Sequence, residues 1–411
     1  MNLLTLSGSY VRANPLNTAL NATLLALGIA IITVLLLLSQ QVATSLTRNS
    51  RGIDLVIGAK GSPLQIILSS VFQVDFPTGN IALEEAQKLR RNRMVKNLIP
   101  LALGDSYTGY RIVGTNYDYP ALYQAEIGQG DWWQQVMDVT LGAEVAQQLH
   151  LALGDTFESS HGLADDRINV HDEQPFRVSG ILQPTGTVVD NLILTAVESV
   201  WAVHEAHEVS EGDSKPTASD TITTQGLPPA SDQEITSLLV QYRSPMAAVQ
   251  LPRYINQQTD MQAASPAFET ARLFSLVGVG VDTIQAFAYV IILMAALSTF
   301  IALYNALKQR QYDLAIMRSL GASQQKLFLL VILEGVLISL LGGVVGIMVG
   351  HGFLGLLSQW TSQPGQLGIT AWHFVPEEGA LLLACIGVGF VASLLPATSA
   401  YRTNIAKVLA Q

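Results

Sequence analysis

The sequence predicts an α-helical membrane protein with four transmembrane helices and a large α+β extracytoplasmic domain between the first and second helices. Hydrophobic residues form 49% of the 411 residues and charged residues only 13%, which is too apolar for an ordinary soluble enzyme. Four apolar segments reach the length of about 20 residues that a bilayer core requires. Residues 41–282 hold 15 Lys and Arg against 28 Asp and Glu, a net charge of −13, whereas the remaining residues carry a net charge of +3.

The chain begins with a predicted amphipathic helix and the first membrane span. Residues 1–17 are mildly amphipathic, which is typical of a helix lying on the inner, cytoplasmic face of the bilayer. Residues 18–40 carry no charge and are dominated by Leu, Ile, Ala and Val, so we predict transmembrane helix 1 there. A cleaved signal peptide is the alternative, but the apolar run is longer than a usual signal sequence and few basic residues precede it.

Residues 41–265 are predicted to form the extracytoplasmic domain. Alternating apolar runs predict strands at Ile53–Ile57, Val95–Leu103, Tyr110–Thr115, Asp138–Leu141, Phe176–Leu182, Asn191–Thr195 and Ile235–Gln241. Helices are predicted at Glu84–Met94 and Met246–Gln258, and Leu64–Val71 fits either a helix or a strand. The first and last parts, about 52–104 and 235–265, should form one α/β unit, and about 105–234 an inserted β-rich part.

The remaining spans follow from charge and hydropathy. We predict a stalk and transmembrane helix 2 at 266–307, transmembrane helix 3 at 327–357 and transmembrane helix 4 at 379–400. The segments between and after them are a cytoplasmic loop at 308–326, an extracytoplasmic loop at 358–378 and a cytoplasmic tail at 401–411. Short loops rich in Lys and Arg stay in the cytoplasm, which places both termini inside.

The 308–326 loop has its own helical pattern. The loop contains one acidic residue, Asp313, and four basic residues, Lys308, Arg310, Arg318 and Lys326. Helical spacing of apolar residues predicts a short helix at Tyr312–Leu320, with Gly321 closing it and Ser323 capping the next helix. A short amphipathic helix at the membrane surface is a suitable contact for a soluble partner.

The sequence of this loop resembles the FtsX/MacB-type permease family of ABC transport systems. The matching residues are Arg310, Asp313, Leu314, Ala315, Ile316, Met317, Arg318, Ser319, Leu320, Gly321 and Ala322. Pieces of the extracytoplasmic domain, such as Val113–Thr115 and Val178–Leu182, resemble the MacB-like periplasmic domain, with porter-like parts at about 52–104 and 235–265.

The resemblance implies a mechanical role without catalytic residues in this chain. A separate ABC ATPase, in two copies, would bind ATP and Mg²⁺ and seat on the coupling residues, which are Arg310, Tyr312, Asp313, Leu314, Met317, Arg318, Leu320 and Gly321. The chain would pair with a second permease copy or a paralogue in the inner (plasma) membrane. It would transmit ATP-driven motion to its outer domain for export or handling of a substrate or lipoprotein.

Two other function classes are a scaffold and a membrane enzyme, and no sequence motif supports the enzyme. The alternative is a non-transporting, FtsX-like scaffold that activates an extracytoplasmic partner such as a cell-wall hydrolase. The sequence contains no Gly-x-x-x-x-Gly-Lys-[Ser/Thr] phosphate-binding motif and no basic face for nucleic acid. We therefore expect neither a nucleotide site in this chain nor a nucleic-acid partner.

Two features of the third span invite a specific interpretation. Gly342, Gly346 and Gly350 form overlapping Gly-x-x-x-Gly pairs, which let helix backbones approach closely, either within the chain or in a dimer. Glu334 is a carboxylate in an apolar span, and such groups are costly and often functional. Because it lies near the loop end of the helix, we expect solvation at the interface or pairing with a loop cation rather than a transport role.

A small cluster of histidines and acids in the outer domain suggests a metal. His204, His207 and Glu208 lie within one helical turn, a spacing that can bring imidazole and carboxylate to one zinc ion. The pattern is not the His-Glu-x-x-His motif of zinc proteases, and no third ligand is placed by sequence. A solvated polar helix end is the simpler interpretation, and zinc is kept as a hypothesis.

Overall fold

A computed structural model describes residues 3–13, 15–161, 175–209, 221–360 and 370–402. Within these ranges the chain forms two compact units. A membrane unit is built from the described residues within Met1–Gln41, Leu276–Thr361 and Ile369–Gln411, and a second unit is built from those within Val42–Ser275.

The described residues form twelve α-helices and thirteen β-strands. The helices are α1 (Leu3–Ala13), α2 (Pro15–Asn49), α3 (Pro63–Ser70), α4 (Leu83–Arg90), α5 (Asp118–Leu122), α6 (Ala143–Leu149), α7 (Val197–Val209), α8 (Ala247–Gln258), α9 (Pro266–Gln309), α10 (Gln311–Ser319), α11 (Gln324–Trp360) and α12 (Pro376–Tyr401). The strands are β1 (Leu55–Ala59), β2 (Ile81–Ala82), β3 (Val95–Tyr107), β4 (Tyr110–Thr115), β5 (Ile127–Gly130), β6 (Asp138–Leu141), β7 (Thr156–Phe157), β8 (Ser160–His161), β9 (Phe176–Leu182), β10 (Leu192–Ala196), β11 (Glu234–Ile235), β12 (Ser237–Tyr242) and β13 (Met261–Ala264).

Four helices in the described part of the chain are long and apolar enough to cross a membrane, and they are α2, α9, α11 and α12. Lipid offers no partner for backbone polar groups, so a spanning segment must satisfy them internally, as a continuous helix does. The α+β domain lies in the chain between the first and second of these helices. The fold class predicted from the sequence is therefore confirmed.

The glycines of α11 bring this helix into close contact with α2 in the same chain. A Cβ atom at Gly342 would lie 3.0 Å from the carbonyl oxygen of Ala22, and one at Gly346 would lie 2.7 Å from that of Ala26. A Cβ atom at Gly350 would lie 3.0 Å from the Thr33 side chain. The three glycines form one stripe along α11, and the structure uses that stripe within the chain.

A second close approach joins α11 to α12. A Cβ atom at Gly389 would lie 2.6 Å from the carbonyl oxygen of Gly335, and one at Gly335 would lie 2.8 Å from the Ser393 side chain. Small residues on both helices therefore let the two backbones meet, as is common between membrane helices. The helix α11 is packed on two sides by these contacts.

The second unit is built around one large mixed sheet with the strand order β13-β1-β12-β3-β4-β10-β6-β9-β5. The long strand β3 pairs with β12 through its first half and with β4 through its second half, and all three pairs among β1, β12, β3 and β4 are antiparallel. Strand β10 lies parallel to β4, and β9 lies parallel to β6. The strand β12 thus returns from far along the chain to lie between β1 and β3.

The strands predicted at Tyr110–Thr115, Asp138–Leu141 and Phe176–Leu182 are confirmed with the same bounds. The segment that fitted either a helix or a strand is the helix α3, which Ser62 caps by accepting a hydrogen bond from the Gln65 N–H at 3.4 Å, with Pro63 in the first turn. The strand predicted at Val95–Leu103 continues to Tyr107, because its far end finds a second partner in β4.

A buried arginine ties the turn after α3 to the sheet. The guanidinium of Arg111 on β4 donates hydrogen bonds to the Ser69 carbonyl at 3.1 Å, to Gln73 Oε1 at 3.1 Å and to the Asp75 carbonyl at 2.8 Å. Burial lowers the pKa of Arg111 to about 10, so the side chain stays charged at neutral pH. A charge at this depth is tolerated because carbonyl oxygens surround it.

The close approach of α11 to α2 can be tested by adding one methyl group. We expect Gly346→Ala to lower stability by about 1–3 kcal/mol, although alanine favours helices, because its Cβ meets the Ala26 carbonyl. Gly387→Ala on α12 is the control, since nothing lies within 4 Å of its Cβ position, and it should leave stability unchanged or raised. Thermal denaturation of the purified protein in detergent measures both, and equal midpoints would contradict the packing.

Candidate functional site

The segment between the second and third membrane helices is a compact helical turn. Arg310 is the only residue between α9 and α10, and its N–H still donates to the Ala306 carbonyl at 3.1 Å. At the other end of α10, Gly321 has a φ of +98°, a conformation that favours glycine. Its N–H donates to the Arg318 carbonyl, and the Ala322 N–H donates to the Met317 carbonyl, each at 3.0 Å. These two bonds are the Schellman pattern that ends a helix sharply.

The next helix begins at once. Ser323 precedes α11, and its side-chain oxygen accepts a hydrogen bond from the Lys326 N–H at 3.3 Å. In the Ser-Leu-Gly-Ala-Ser sequence, Gly321 ends α10 and Ser323 caps the start of α11. The capping roles predicted for these two residues are therefore confirmed. The turn fixes α10 as a short helix held at both ends.

The helix α10 has a buried face and an exposed face. Leu314 and Ala315 are 3% and 0% exposed, so they pack inside the membrane unit. Tyr312, Ile316 and Leu320 are 60%, 37% and 81% exposed. Since residues four apart lie on the same side of a helix, these three make one apolar stripe, which we call the α10 stripe.

The structure divides the predicted coupling residues between these faces. Leu314 packs inward and Met317 is half-buried, whereas Tyr312, Asp313 and Leu320 are exposed. Asp313 lies in the first turn and Arg318 in the last turn of α10, where each complements the helix dipole. Ile316 was matched as a motif residue but was not singled out for coupling. Ile316 lies four residues after Tyr312 and four before Leu320, and this spacing identifies it as part of the same helix face.

Arg310 has internal partners. Its Nη1 lies 3.3 Å from Glu334 Oε1 on α11, and the two side chains are only 15% and 10% exposed. The Arg310 guanidinium also lies over the ring of Tyr10 on α1, 4.2 Å from the ring centroid. The expectation that Glu334 pairs with a loop cation is confirmed, and three separate helices meet at this pair.

A second polar pair occupies the other end of α11. His351 Nε2 lies 3.0 Å from Glu378 Oε1 on α12, and His351 Nδ1 lies 2.5 Å from the Ala371 carbonyl oxygen. Both side chains are largely buried, and the His351 ring also contacts Phe374. Sequence reasoning did not single out this pair, although a histidine inside an apolar run and a Glu-Glu start to the last span were visible.

The histidine cluster is only partly within the described residues. His204 lies on α7 with its Nε2 4.0 Å from Asp105 Oδ2, and Asp105 is buried. The side chains of His207 and Glu208 lie outside the described part of the chain, as do residues 171–173. Among the side chains that are described, no group of three metal-binding residues occurs. Zinc binding at His204, His207 and Glu208 stays a prediction.

Four membrane helices, an α+β domain inserted between the first two, and a capped surface helix between the second and third define a permease-type subunit of an ABC transport system. Two family models match the chain: the MacB-like periplasmic core domain over residues 18–251 and the FtsX-like permease C-terminal domain over residues 286–405. The chain therefore belongs to the family of FtsX-like permeases with a MacB-like periplasmic core domain.

Individual proteins show the same similarity. The macrolide export ATP-binding/permease protein MacB of Rhodopirellula baltica is 22% identical over 445 residues, which cover 98% of this chain and 61% of that protein. The uncharacterised ABC transporter permease MJ1507 of Methanocaldococcus jannaschii is 21% identical over 262 residues, covering 60% of this chain and 59% of that protein. The chain thus spans about three fifths of the length of these relatives.

The periplasmic region of MacB from Actinobacillus actinomycetemcomitans matches 56% of this chain and 97% of its own length, with 13% identity and a TM-score of 0.33.

The contribution of the Arg310–Glu334 ion pair to stability can be tested by substitution. We expect Glu334→Leu to lower stability by about 3–5 kcal/mol, because it leaves the Arg310 charge buried without its partner. The double variant Arg310→Met/Glu334→Leu removes both charges and should recover most of that loss. Chemical denaturation in detergent compares the three proteins. A double variant that is no more stable than Glu334→Leu would show that the pair does not act as a unit.

Proposed function

We propose that this chain is the membrane subunit that transmits ATP-driven motion of a separate ABC ATPase to its extracytoplasmic domain. The observation that carries the proposal is the α10 stripe, a set of apolar side chains exposed on a helix whose other face is anchored. Exposed apolar side chains in a row mark a contact surface for another protein. The name of the Rhodopirellula baltica relative joins ATP binding and a permease, which supports an ATPase as the partner.

The anchored face explains how a contact at α10 would become motion of the membrane helices. Leu314 and Ala315 hold α10 against the membrane unit, and Arg310 holds its base to Glu334 on α11. Displacement of α10 by an ATPase would therefore move the end of α9 and the start of α11 together. The ATPase would supply ATP, Mg²⁺ and the hydrolysis, and this chain would supply no catalytic residue.

The proposal includes an assembly and an orientation. Two ATPase copies would bind two permease subunits, either two copies of this chain or this chain and a paralogue. The basic segment at 308–326 and both termini would lie in the cytoplasm, and the second unit outside. The match of residues 18–251 to the MacB-like periplasmic core domain favours export or handling of a substrate or lipoprotein over the role of a scaffold that activates a cell-wall hydrolase.

The stripe can be tested by adding charge. We expect Ile316→Asp and Leu320→Asp each to reduce co-purification of the ATPase at least tenfold, because a carboxylate replaces an apolar contact that becomes buried on binding. Val249→Asp on α8 is the control, since Val249 is also an exposed aliphatic side chain, at 72%, and should retain the ATPase. Unchanged recovery of the ATPase with both stripe variants would contradict the proposal.

The orientation can be tested independently. Cys385 is the only cysteine, so Tyr312→Cys and Asp260→Cys can each be placed on a Cys385→Ala background. Both positions are exposed. A membrane-impermeant maleimide should label position 260 in spheroplasts and position 312 only after permeabilisation. Labelling of both positions from the same side would rule out a relay across the bilayer.

A further inference from the structure

The membrane unit contains a groove that the coupling role does not use. It lies between α2, α9 and α12 and has a volume of about 500 Å³, which falls within the range of about 300–1,000 Å³ for small-molecule sites. Its apolar wall consists of Ile32, Leu35, Leu36 and Val281. A groove of this size in a membrane helix bundle can hold a hydrocarbon chain.

One end of the groove is polar. Ser39 and Gln40 on α2 and Glu377 on α12 line it there, whereas Gln285 on α9 lies farther along the groove, level with its apolar residues. Along α2 the lining runs from Ile32 to Gln40, a distance of about 12 Å at 1.5 Å per residue. The groove is therefore amphipathic along its length, with its polar end close to Gln41, where the membrane unit ends on this helix.

The polar end offers hydrogen-bond acceptors and negative charge. Gln40 Oε1 is buried and has no hydrogen-bond partner among the described residues, and a buried acceptor without a donor is costly. Gln285, farther along the groove, already donates to the Tyr289 hydroxyl at 2.8 Å. Among the described residues that line the groove, Glu377 is the only one with a charge. A ligand that donates hydrogen bonds and carries a positive charge complements this set.

We propose that this groove binds an amphiphile with one hydrocarbon chain and a protonated amine head. The chain lies against Ile32, Leu35, Leu36 and Val281, and the ammonium group donates to Gln40 Oε1 and the Glu377 carboxylate. An anionic phosphate head is disfavoured because Glu377 would repel it. In the proposed orientation the polar end faces outward, so the ligand enters from the outer leaflet. The inference goes beyond the coupling role, because binding requires no ATPase.

The experiment uses the full chain in lipid nanodiscs without an ATPase. The probe is dodecylamine with a diazirine in its chain, and the corresponding alcohol and carboxylic acid serve as probes with the same tail. After irradiation, mass spectrometry locates the label. We expect the amine to label α2 and α9 along the groove and unlabelled dodecylamine to displace it. Label spread evenly over all lipid-facing helix surfaces would overturn the proposal.

Variants separate the head from the tail. Glu377→Gln should lower labelling by the amine about tenfold relative to the alcohol, the factor that corresponds to one lost charge-assisted hydrogen bond. Leu35→Trp fills the tail space and should lower labelling by both probes at least fivefold. Leu383→Trp is its control, because Leu383 on α12 is 70% exposed and does not line the groove. An unchanged amine-to-alcohol ratio in Glu377→Gln would contradict the assigned head group.

A second copy of the chain is the competing occupant. On a Cys385→Ala background, Leu35→Cys should remain reactive to a lipid-soluble maleimide and should form no disulfide between copies. A disulfide between two copies at position 35 would show that a second subunit covers the groove, and the amphiphile site would be abandoned. Failure here leaves the ATPase contact at α10 untouched, because that contact is measured by co-purification.

Discussion

The ion pair between Arg310 and Glu334 is the interaction on which the loop end of the membrane unit depends. Each charge alone would be costly in so buried a place, and their mutual attraction offsets that cost only with close geometry. The two groups lie 3.3 Å apart and Tyr10 covers the guanidinium with its ring, while Arg310 Nη2 is buried without a hydrogen-bond partner among the described residues. Tyr10 belongs to α1, Arg310 to the α9–α10 junction and Glu334 to α11. One polar contact therefore favours a single arrangement of these helices. Apolar packing alone is less selective, because lipid is as apolar as the helices.

Packing within the membrane unit is uneven, and α9 is the least buried of its four long helices. Small residues bring α11 against α2 on one side and against α12 on the other, whereas α9 keeps many large apolar side chains exposed, including Phe287, Val290 and Met294. In a bilayer such a surface meets lipid or another subunit. The assembly proposed above needs an apolar face for a second permease subunit, and α9 supplies one.

Much of the fold could be predicted from the sequence, because the signals were local. The absence of charge over residues 18–40 and the turn chemistry of Gly321 and Ser323 are read from a few neighbouring residues. Partners distant in the chain could not be predicted in this way. The glycine stripe of α11 predicted a close approach of another helix, but it did not show that α2 is that helix. His351 and Glu378 lie on different helices, so only the folded chain brings them together. The motif around Arg310 likewise identified a contact segment without showing that its first arginine faces inward.

Two helices belong to both units, since α2 ends and α9 begins among residues of the second unit. Within that unit, the end of α2 is part of the core: Leu46 is buried, the Val188 N–H donates to Asn49 Oδ1 at 2.9 Å, and the Tyr123 hydroxyl donates to the Asn49 carbonyl at 3.1 Å. The first turn of α9 is likewise fixed there, with Glu269 buried. The proposed relay needs a connection stiffer than a flexible linker, which would absorb displacement as chain entropy. The helix α9 has 44 residues and is about 66 Å long at 1.5 Å per residue. Because α9 begins in the second unit and ends at Gln309, directly before Arg310, one continuous element links the two units in the chain, as the proposed role requires.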